Sequence, residues 1–186
     1  MESINHQLLN SEFFIPHWPI KYLFIGTFNP TGGEKVKYYY GREKNQTWKV
    51  LSIIFNKKLN QSDACFMENI QNLGIGCVDL IKAIKFDESL TDDVLGKGYM
   101  YSKIINNQVE RQYNTEKLLE LVENNPDVEV YSTWGKGSNL KDWKNEVAKL
   151  GEICNLVSPS LAARVPKGVN KYDFILNDWK SKIEPI

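Results

Sequence analysis

Two asparagine side chains bracket a segment in which aromatic and basic residues alternate. Asn29 lies between Phe28 and Pro30, and Asn45 lies further along the chain. A side-chain amide both donates and accepts hydrogen bonds, and an aromatic ring can stack on a nucleobase. The aromatic and basic residues between the two amides are Tyr38, Tyr39, Tyr40, Arg42 and Lys44. This alternation is typical of nucleic-acid grooves, although an Asx turn at Asn29 and tyrosines that pack the loop would explain the same residues.

Two later segments also carry polar groups that could contact a ligand. Asp79 ends an apolar run, where its carboxylate either meets a ligand, caps a neighbouring helix or pairs with a lysine. Further on, Ser158, Pro159 and Ser160 form a turn whose hydroxyls and free amides can hold a phosphate group, and Leu161 follows as an apolar wedge. Ordinary turns have the same composition, so each segment alone leaves both interpretations open.

Short apolar runs precede these polar segments and predict buried strands. The runs lie at residues 22–26, 76–80, 128–132 and 153–157. Helices are predicted between or after them, at residues 46–56, 62–73, 115–124, 138–150 and 170–182. Strands that alternate with helices favour βαβ units, so we expect a three-layer α/β/α sandwich with a central, mostly parallel sheet of about four strands. Ligands of such sheets bind beyond the carboxyl ends of the strands, where the polar segments are expected to converge.

The size and composition of the chain favour one globular domain. With 186 residues, the whole chain (residues 1–186) is expected to form a single domain. Hydrophobic residues make up 42% and aromatic residues 12%, which excludes a wholly disordered chain. The 23 basic residues equal the 23 acidic ones in number. The charges are nevertheless uneven along the chain, because residues 34–49 hold five cations and two carboxylates, whereas residues 110–129 hold two cations and six carboxylates. Either the molecule has a basic and an acidic face, or the charges are scattered over a solvated surface.

Several classes of protein are disfavoured by what the sequence lacks. The three cysteines show no paired spacing and the only histidines, His6 and His17, belong to no zinc motif, so we expect no metal site. Neither a phosphate-binding glycine loop nor a dinucleotide fingerprint occurs, so we expect no cofactor. The apolar runs are far shorter than a membrane span, and the first residues have neither a basic nor an apolar stretch, so we expect no secretory signal. We expect a cytoplasmic monomer without membrane contact.

Taken in order, these segments resemble the uracil-DNA glycosylase superfamily, and most closely its hypoxanthine-DNA glycosylase branch. The segments that carry the resemblance are Gly26-Thr27-Phe28-Asn29-Pro30, Tyr39-Tyr40 with Asn45-Gln46-Thr47-Trp48, Gly74-Ile75-Gly76-Cys77-Val78-Asp79 and Leu156-Val157-Ser158-Pro159-Ser160-Leu161-Ala162. Their order and rough spacing match over nearly the whole chain. The chain departs from the superfamily in three places: the first segment carries no acid, Thr47 replaces an aromatic residue, and Val157 precedes the last turn where the uracil enzymes have a histidine.

The resemblance implies a monofunctional DNA glycosylase, which flips a deaminated base, uracil or hypoxanthine, out of DNA and hydrolyses its N-glycosidic bond. It implies that Asn45 and Asn29 are catalytic residues that hold water or the base. The base-binding residues that it implies are Gly26, Thr27, Phe28, Tyr40 and Asp79. The DNA-binding residues that it implies are Arg42, Lys44, Ser158, Pro159, Ser160, Leu161 and Arg164. Three alternatives stay open: a nucleic-acid-binding module of the same fold without excision, an α/β enzyme that binds a nucleotide or nucleoside, and a structural partner protein with no pocket at the strand ends.

Overall fold

A computed structural model describes residues 1–32, 34–91, 104, 108–135, 140–162 and 164–185. Its strands are β1 (Glu2–Asn5), β2 (Tyr22–Gly26), β3 (Ile75–Asp79), β4 (Ile81–Phe86), β5 (Val109–Tyr113), β6 (Glu129–Ser132) and β7 (Cys154–Asn155). Its helices are α1 (Thr47–Ile54), α2 (Phe66–Asn72), α3 (Thr115–Asn124), α4 (Lys141–Lys149) and α5 (Lys171–Lys180). Residues 138 and 139, where the sequence predicts the start of a helix, lie outside the described residues.

Four strands form a parallel sheet in the order β3-β2-β6-β7. All residues of β2 are buried, which its uninterrupted apolar sequence predicts for a central strand of such a sheet. The chain passes from β2 to β3 on one side and later crosses to β6 on the other side. This reversal creates a switch point between the carboxyl ends of β2 and β6, where sheets of this topology bind ligands. The predicted α/β fold with a four-stranded parallel sheet between helices is confirmed.

Two hydrophobic clusters pack against the two faces of this sheet. Side chains alternate between faces along a strand, and accordingly Phe24 of β2 belongs to one cluster and Leu23 and Ile25 belong to the other. The cluster around Phe24 includes side chains of α1, α2 and α5, among them Trp48, Leu51, Ile70, Ile175 and Trp179. The cluster around Leu23 includes side chains of α3, α4 and β4, among them Leu118, Trp143, Ile84 and Phe86. The parallel sheet is therefore the middle layer of the molecule.

A second sheet, which the sequence did not predict, contains three antiparallel strands in the order β1-β4-β5. In β4 the half-buried Lys82 and Lys85 lie three residues apart among buried apolar residues, which is not the two-residue period that predicts a strand from its sequence. β1 carries the sequence Glu-Ser-Ile-Asn, which does not have this period either, and is held by pairing with β4. The first residues of the chain are thereby fixed beside β4, directly after the strand that ends at Asp79.

Helix boundaries follow local chemistry in two cases and depart from the sequence prediction in a third. Gly74, with a φ of +66°, follows the last turn of α2 in the left-handed conformation that glycine favours. Asn170 caps α5, because its Oδ1 accepts hydrogen bonds from the amides of Tyr172 and Asp173 at 2.9 and 3.2 Å. Ser62 was expected to begin the preceding helix, but α2 begins at Phe66. The expectation was wrong because Ser62 lies in a turn, where it hydrogen-bonds to the Asn60 side chain.

Candidate functional site

A cavity of about 710 Å³ opens at the carboxyl ends of the parallel strands. Gly26 and Asp79 are the last residues of β2 and β3, and Thr133 follows β6 directly. The remaining walls come from the loop between β2 and α1 and from the turn after β7. The cavity therefore lies at the switch point of the sheet, as the topology predicts.

The structure brings most of the predicted site residues to this cavity. Those that line it are Gly26, Thr27, Phe28, Asn29, Tyr40, Arg42, Lys44, Asn45, Asp79, Ser158, Pro159 and Ser160. Leu161 and Arg164 are exposed and lie outside its lining. The convergence of the predicted segments is thus observed, while the catalytic and binding roles of the individual residues stay predictions.

Gly26 is a glycine because the neighbouring carboxylate occupies the space of a side chain. In the register of the sheet Gly26 lies beside Asp79. A Cβ atom built on Gly26 would collide with Asp79 Oδ1 and would lie 3.1 Å from the Tyr40 hydroxyl. The absence of a side chain therefore lets the carboxylate of β3 reach the end of β2 at the floor of the cavity.

Asp79 is paired with a histidine that the sequence analysis did not connect to the site. Only 5% of the Asp79 surface is exposed, and its Oδ2 lies 2.9 Å from Nε2 of the buried His6. The interpretation of Asp79 as the partner of a lysine is thus wrong. Among the described residues, no hydrogen-bond donor contacts the other oxygen, Oδ1. Asp79 therefore presents an acceptor to the cavity.

Asn29 is held by Arg42, which was predicted to contact phosphate. Asn29 Oδ1 accepts hydrogen bonds from Arg42 Nε at 3.0 Å and from Nη2 at 2.5 Å. Two hydrogen bonds fill the two lone pairs of an amide oxygen, so what Asn29 can offer a ligand is its Nδ2 donor pair. The Arg42 guanidinium thus orients the Asn29 amide at the cavity.

Asn45 contacts the start of α1 and also lines the cavity. Its Oδ1 accepts a hydrogen bond from the Thr47 amide at 2.9 Å, which satisfies one of the free amides in the first turn of α1. The same side chain lines the cavity. The backbone around it is fixed to the turn after β7, because Gln46 N donates to Pro159 O at 2.9 Å and Leu161 N donates to Lys44 O at 3.0 Å. The asparagine segment and the serine turn therefore form one unit.

The serine turn has less free backbone than its sequence suggests. Ser158 Oγ accepts from the Ser160 amide at 3.4 Å, and Ser160 Oγ accepts from the Ala162 amide at 3.2 Å. With the Leu161 amide bonded to Lys44, three amides of the turn already have partners. The expectation that free amides hold a phosphate is wrong for these positions. The hydroxyl protons of both serines and the exposed Lys44 ammonium are the donors that the turn can offer an anion.

Aromatic side chains form a neutral wall of the cavity. Tyr40 has a φ of +58°, an uncommon conformation for a residue with a side chain, and its hydroxyl lies 3.3 Å from Thr133 Oγ1. Burial raises the pKa of Tyr40 well above its ordinary value, so the phenol stays protonated at neutral pH. Tyr39 and Phe28 also line the cavity, and the Tyr39 hydroxyl donates to Phe14 O at 2.8 Å. A flat, uncharged ligand would therefore meet apolar faces here.

Several residues of the site were not named from the sequence, for different reasons. Thr133 and Trp134 directly follow the strand predicted at residues 128–132, whose carboxyl end was expected to converge with the other strand ends, but neither was named as a site residue. Glu34 lies in the loop between β2 and α1, and its Oε1 accepts from the Glu43 amide at 3.1 Å. His6 carried no signal, because it lies 73 residues before Asp79 in a segment without a recognisable motif.

A second, more open cavity of about 500 Å³ shares a wall with the first. The shared residues are Tyr40, Gly41, Arg42, Glu43 and Asn45. Its other side is lined by the cations Lys49 and Lys58 and by Tyr172, among others. Lys58 is paired with Asp63 at 2.9 Å, whereas no hydrogen bond or ion pair of the Lys49 ammonium occurs among the described residues. A phosphate group bound in the second cavity would therefore lie near the positive charge of Lys49.

No metal site and no membrane segment is found within the described ranges. Side chains of His, Cys, Asp and Glu form no group of three that could hold a metal ion in that part of the chain. Its helices are all too short or too polar to cross a bilayer. The side chains that line the main cavity carry amides, hydroxyls, aromatic rings, carboxylates and cationic groups.

Comparison with known proteins identifies a structural neighbour. No protein-family model matches the sequence, and no curated protein matches it significantly. Among solved structures, the chain is similar to the solution NMR structure of a candidate uracil DNA glycosylase from Methanosarcina acetivorans, with a TM-score of 0.53, 16% sequence identity and 88% of each chain covered. At this identity the likeness concerns the fold. The chain therefore has the α/β fold of that protein, and the fold implied by the sequence resemblance is the one observed.

Proposed function

We propose that the main cavity binds a nucleobase flipped out of DNA, and that the protein excises a deaminated base, uracil or hypoxanthine, by hydrolysing its N-glycosidic bond. The observation that carries this proposal is the hydrogen-bonding pattern of the cavity. Asn29 offers donors because Arg42 occupies its oxygen, and Asp79 offers an acceptor because its Oδ1 has no partner among the described residues. The fold shared with the candidate uracil DNA glycosylase supports the same conclusion.

This pattern fits the chemical change that deamination makes. Deamination replaces an exocyclic amino donor with a carbonyl acceptor and places a hydrogen on the adjacent ring nitrogen. A carbonyl oxygen can accept from the Asn29 amide, and a ring N–H can donate to the Asp79 carboxylate. Cytosine or adenine would instead direct a ring lone pair at that carboxylate and leave buried groups without partners, which costs affinity. Asn29 and Asp79 therefore favour the deaminated base over its parent.

The size and walls of the cavity suit a nucleotide unit. Its volume of about 710 Å³ lies within the range of typical small-molecule sites and exceeds the need of a base alone. Phe28 and Tyr40 offer rings on which a flipped base can stack. Ser158, Ser160 and Lys44 offer hydroxyl and ammonium donors to the adjoining phosphate. The same cavity can thus hold the base, the sugar and a phosphate contact.

Excision would depend on stabilising charge that develops as the bond breaks. Positive charge builds on the sugar and negative charge on the departing base. The Nδ2 groups of Asn29 and Asn45 are the donors proposed to stabilise the base, since preorganised donors lower a barrier of this kind. Neither amide can remove a proton from water at neutral pH. The site would consequently act on bases that already leave readily, which again favours deaminated bases.

An excision assay tests this function directly. The substrates are oligonucleotides with one uracil, hypoxanthine or xanthine, in single- and double-stranded form, and the product is an abasic site that alkali cleaves. We expect excision of uracil or hypoxanthine by the wild-type protein and at least ten-fold slower excision by an Asn29→Ala variant. Asn170→Ala, which changes a helix cap outside the cavity, is the matched control and should excise at the wild-type rate. Absence of excision from every substrate would refute the activity.

A DNA-binding module without excision is the second candidate function. The observation that favours it is that the Asn45 oxygen is already occupied by the Thr47 amide at the start of α1, while the first segment carries no acid. Such a module would bind base-containing oligonucleotides in a salt-dependent way and leave them intact. Binding of free nucleotides without affinity for oligonucleotides would instead indicate an enzyme of nucleotide or nucleoside chemistry.

A further inference from the structure

We propose that His6 is a positioning residue of the candidate site, which holds Asp79 so that its free carboxylate oxygen accepts a hydrogen bond from the substrate. This inference rests on the proposed function and adds a residue to it from the N-terminal strand segment. His6 does not line the cavity, so it acts through Asp79.

The hydrogen bonds of His6 determine which of its nitrogens carries the proton. His6 Nδ1 lies 3.1 Å from the Leu8 amide, which can only donate. Nδ1 must therefore hold a lone pair, and the hydrogen of the neutral ring must be on Nε2. Nε2 lies 2.9 Å from Asp79 Oδ2 and so donates to the carboxylate. The backbone of Leu8 thus selects the tautomer that fixes Asp79.

The geometry of Asp79 leaves one oxygen for a ligand. Its side chain is only 8% exposed, and Oδ2 is occupied by His6. Oδ1 lies against Gly26 at the cavity floor, and no donor among the described residues reaches it. Oδ1 therefore faces the cavity, where a donor of a bound ligand can reach it. Rotation of the carboxylate would break the bond to His6, so His6 keeps Oδ1 in place.

His6 itself is held rigidly. Its backbone amide donates to Lys82 O at 2.8 Å, and it forms a bridge with Pro30. Its ring lies among the rings of Phe14, Tyr39 and Phe28, with centroid separations of 5.4, 5.4 and 6.0 Å. The imidazole therefore has a fixed position between β4 and the loop after β2.

The neighbouring Gln7 fixes another wall of the same cavity. Gln7 Nε2 donates to Glu34 O at 2.8 Å, and Gln7 Oε1 accepts from the Val36 amide at 3.3 Å. Its own amide donates to Asn29 O at 2.8 Å. Residues 6 and 7 therefore connect Asp79 at the cavity floor with the backbone of Asn29 and with the backbone near Glu34. Several independent contacts thus support a positioning role for this segment.

Two substitutions separate the hydrogen bond from the packing of the ring. His6→Phe keeps an aromatic ring among its neighbours and removes the donor to Asp79. His6→Gln loses the ring but places an amide nitrogen where Nε2 was and can still donate. On the base that the wild-type protein excises, we expect His6→Phe to raise KM by about 10- to 100-fold, by analogy with the loss seen when the outer hydrogen-bond partner of a metal ligand is removed. His6→Gln should restore KM to within a few-fold of wild type.

The split between KM and kcat distinguishes positioning from a general folding defect. The Asp79 contact exists as soon as the base is bound, so its loss should appear chiefly in KM. A folding defect would lower the melting temperature and the active fraction and leave KM unchanged. Equal KM values for His6→Phe and wild type, or equal losses for both variants, would overturn the proposal. If His6→Phe does not fold, His6→Asn, whose shorter amide does not reach Asp79, replaces it with the same expectations.

A spectroscopic measurement tests the geometry independently of any activity. The ¹⁵N shifts of His6 in the labelled wild-type protein should show a neutral ring with its hydrogen on Nε2, and His6→Phe should identify the signals. A hydrogen on Nδ1 would overturn the proposal. Absence of excision by the wild type would refute the proposed glycosylase activity, whereas this tautomer result would still decide whether His6 holds Asp79.

Discussion

At the scale of single residues, Asn45 shows how one side chain can serve both a helix and a cavity. Its oxygen satisfies the Thr47 amide at the start of α1, and its Nδ2 group is the part that a ligand can use. One such hydrogen bond contributes about 1 kcal/mol to stability, and a serine oxygen can accept it as an asparagine oxygen does. Stability and ligand chemistry at this position can therefore be separated by substitution.

We expect Asn45→Ser to keep the fold and to lose excision. Serine can also accept a hydrogen bond from the Thr47 amide, so the free energy of unfolding should change by less than about 0.5 kcal/mol. The amide donor is removed, so excision should fall by about 100-fold or more, the scale observed when one transition-state donor is lost. Urea denaturation and single-turnover excision measure the two effects. Asn170→Ser, a cap exchange on α5, is the matched control, and excision by Asn45→Ser at the wild-type rate would remove Asn45 from the chemistry.

Gly26 offers a second test at this scale. The side chain of a Gly26→Ala variant would collide with the Asp79 carboxylate, and overpacking of this kind costs about 1–3 kcal/mol. Removal of the carboxylate in Gly26→Ala/Asp79→Ala should recover part of that loss, since the obstacle is gone. Denaturation of the wild type, both single variants and the double variant gives the coupling energy. Strict additivity of the two changes would contradict the close contact between these residues.

At the scale of elements, the loop between β2 and α1 carries three consecutive tyrosines that the fold keeps neutral. Burial is the largest of the causes that raise the pKa values of Tyr38, Tyr39 and Tyr40 well above their ordinary value. In the unfolded chain tyrosines ionise near pH 10, while in the folded protein these three stay protonated to higher pH. Their contribution to stability is therefore fully present below about pH 10 and is lost as the pH rises above it.

This predicts a steep alkaline loss of stability that depends on the tyrosine loop. The melting temperature should fall above about pH 10, and Tyr38→Phe, which keeps the buried ring, should make the fall shallower. Thermal denaturation across neutral and alkaline pH, with the ultraviolet absorbance of tyrosinate, measures both effects. Ionisation of all nine tyrosines near pH 10 in the folded protein would contradict this prediction.

Strands and helices differ in how well their own sequence predicts them. The parallel strands were predictable because each is an apolar run followed by a turn, and the convergence of their ends follows from the parallel arrangement. β1 was not predictable, because its four residues have no periodicity and depend on pairing with β4. His6 was missed for the same reason. The contacts that orient Asn29 and Asn45 depend on side-chain geometry, which residue spacing alone does not determine.

At the scale of the whole molecule, equal numbers of acidic and basic residues conceal local differences. Lys44 lines the main cavity and Lys49 lines the second, whereas the exposed Lys144 of α4 lines neither. If a DNA backbone crosses both cavities, each contacting cation releases counterions when DNA binds. The salt dependence of binding therefore reports which lysines contact phosphate.

We expect Lys44→Ala and Lys49→Ala each to reduce the slope of log affinity against log salt by about one unit, and Lys144→Ala to leave it unchanged. Fluorescence anisotropy with a labelled oligonucleotide at several salt concentrations measures the slope. Equal slopes for all three variants and the wild type would place the DNA elsewhere on the surface.

The connection of His6 to Asp79 also has a consequence for the order in which the molecule folds. The two residues are 73 positions apart, and β1 forms its sheet only with strands that follow Asp79. Contacts between distant residues form later than local helical contacts, because a long loop must close first. During refolding the helical circular dichroism signal should therefore recover before the ability to bind a ligand, and the earliest residues of the chain should be among the last to reach their native contacts.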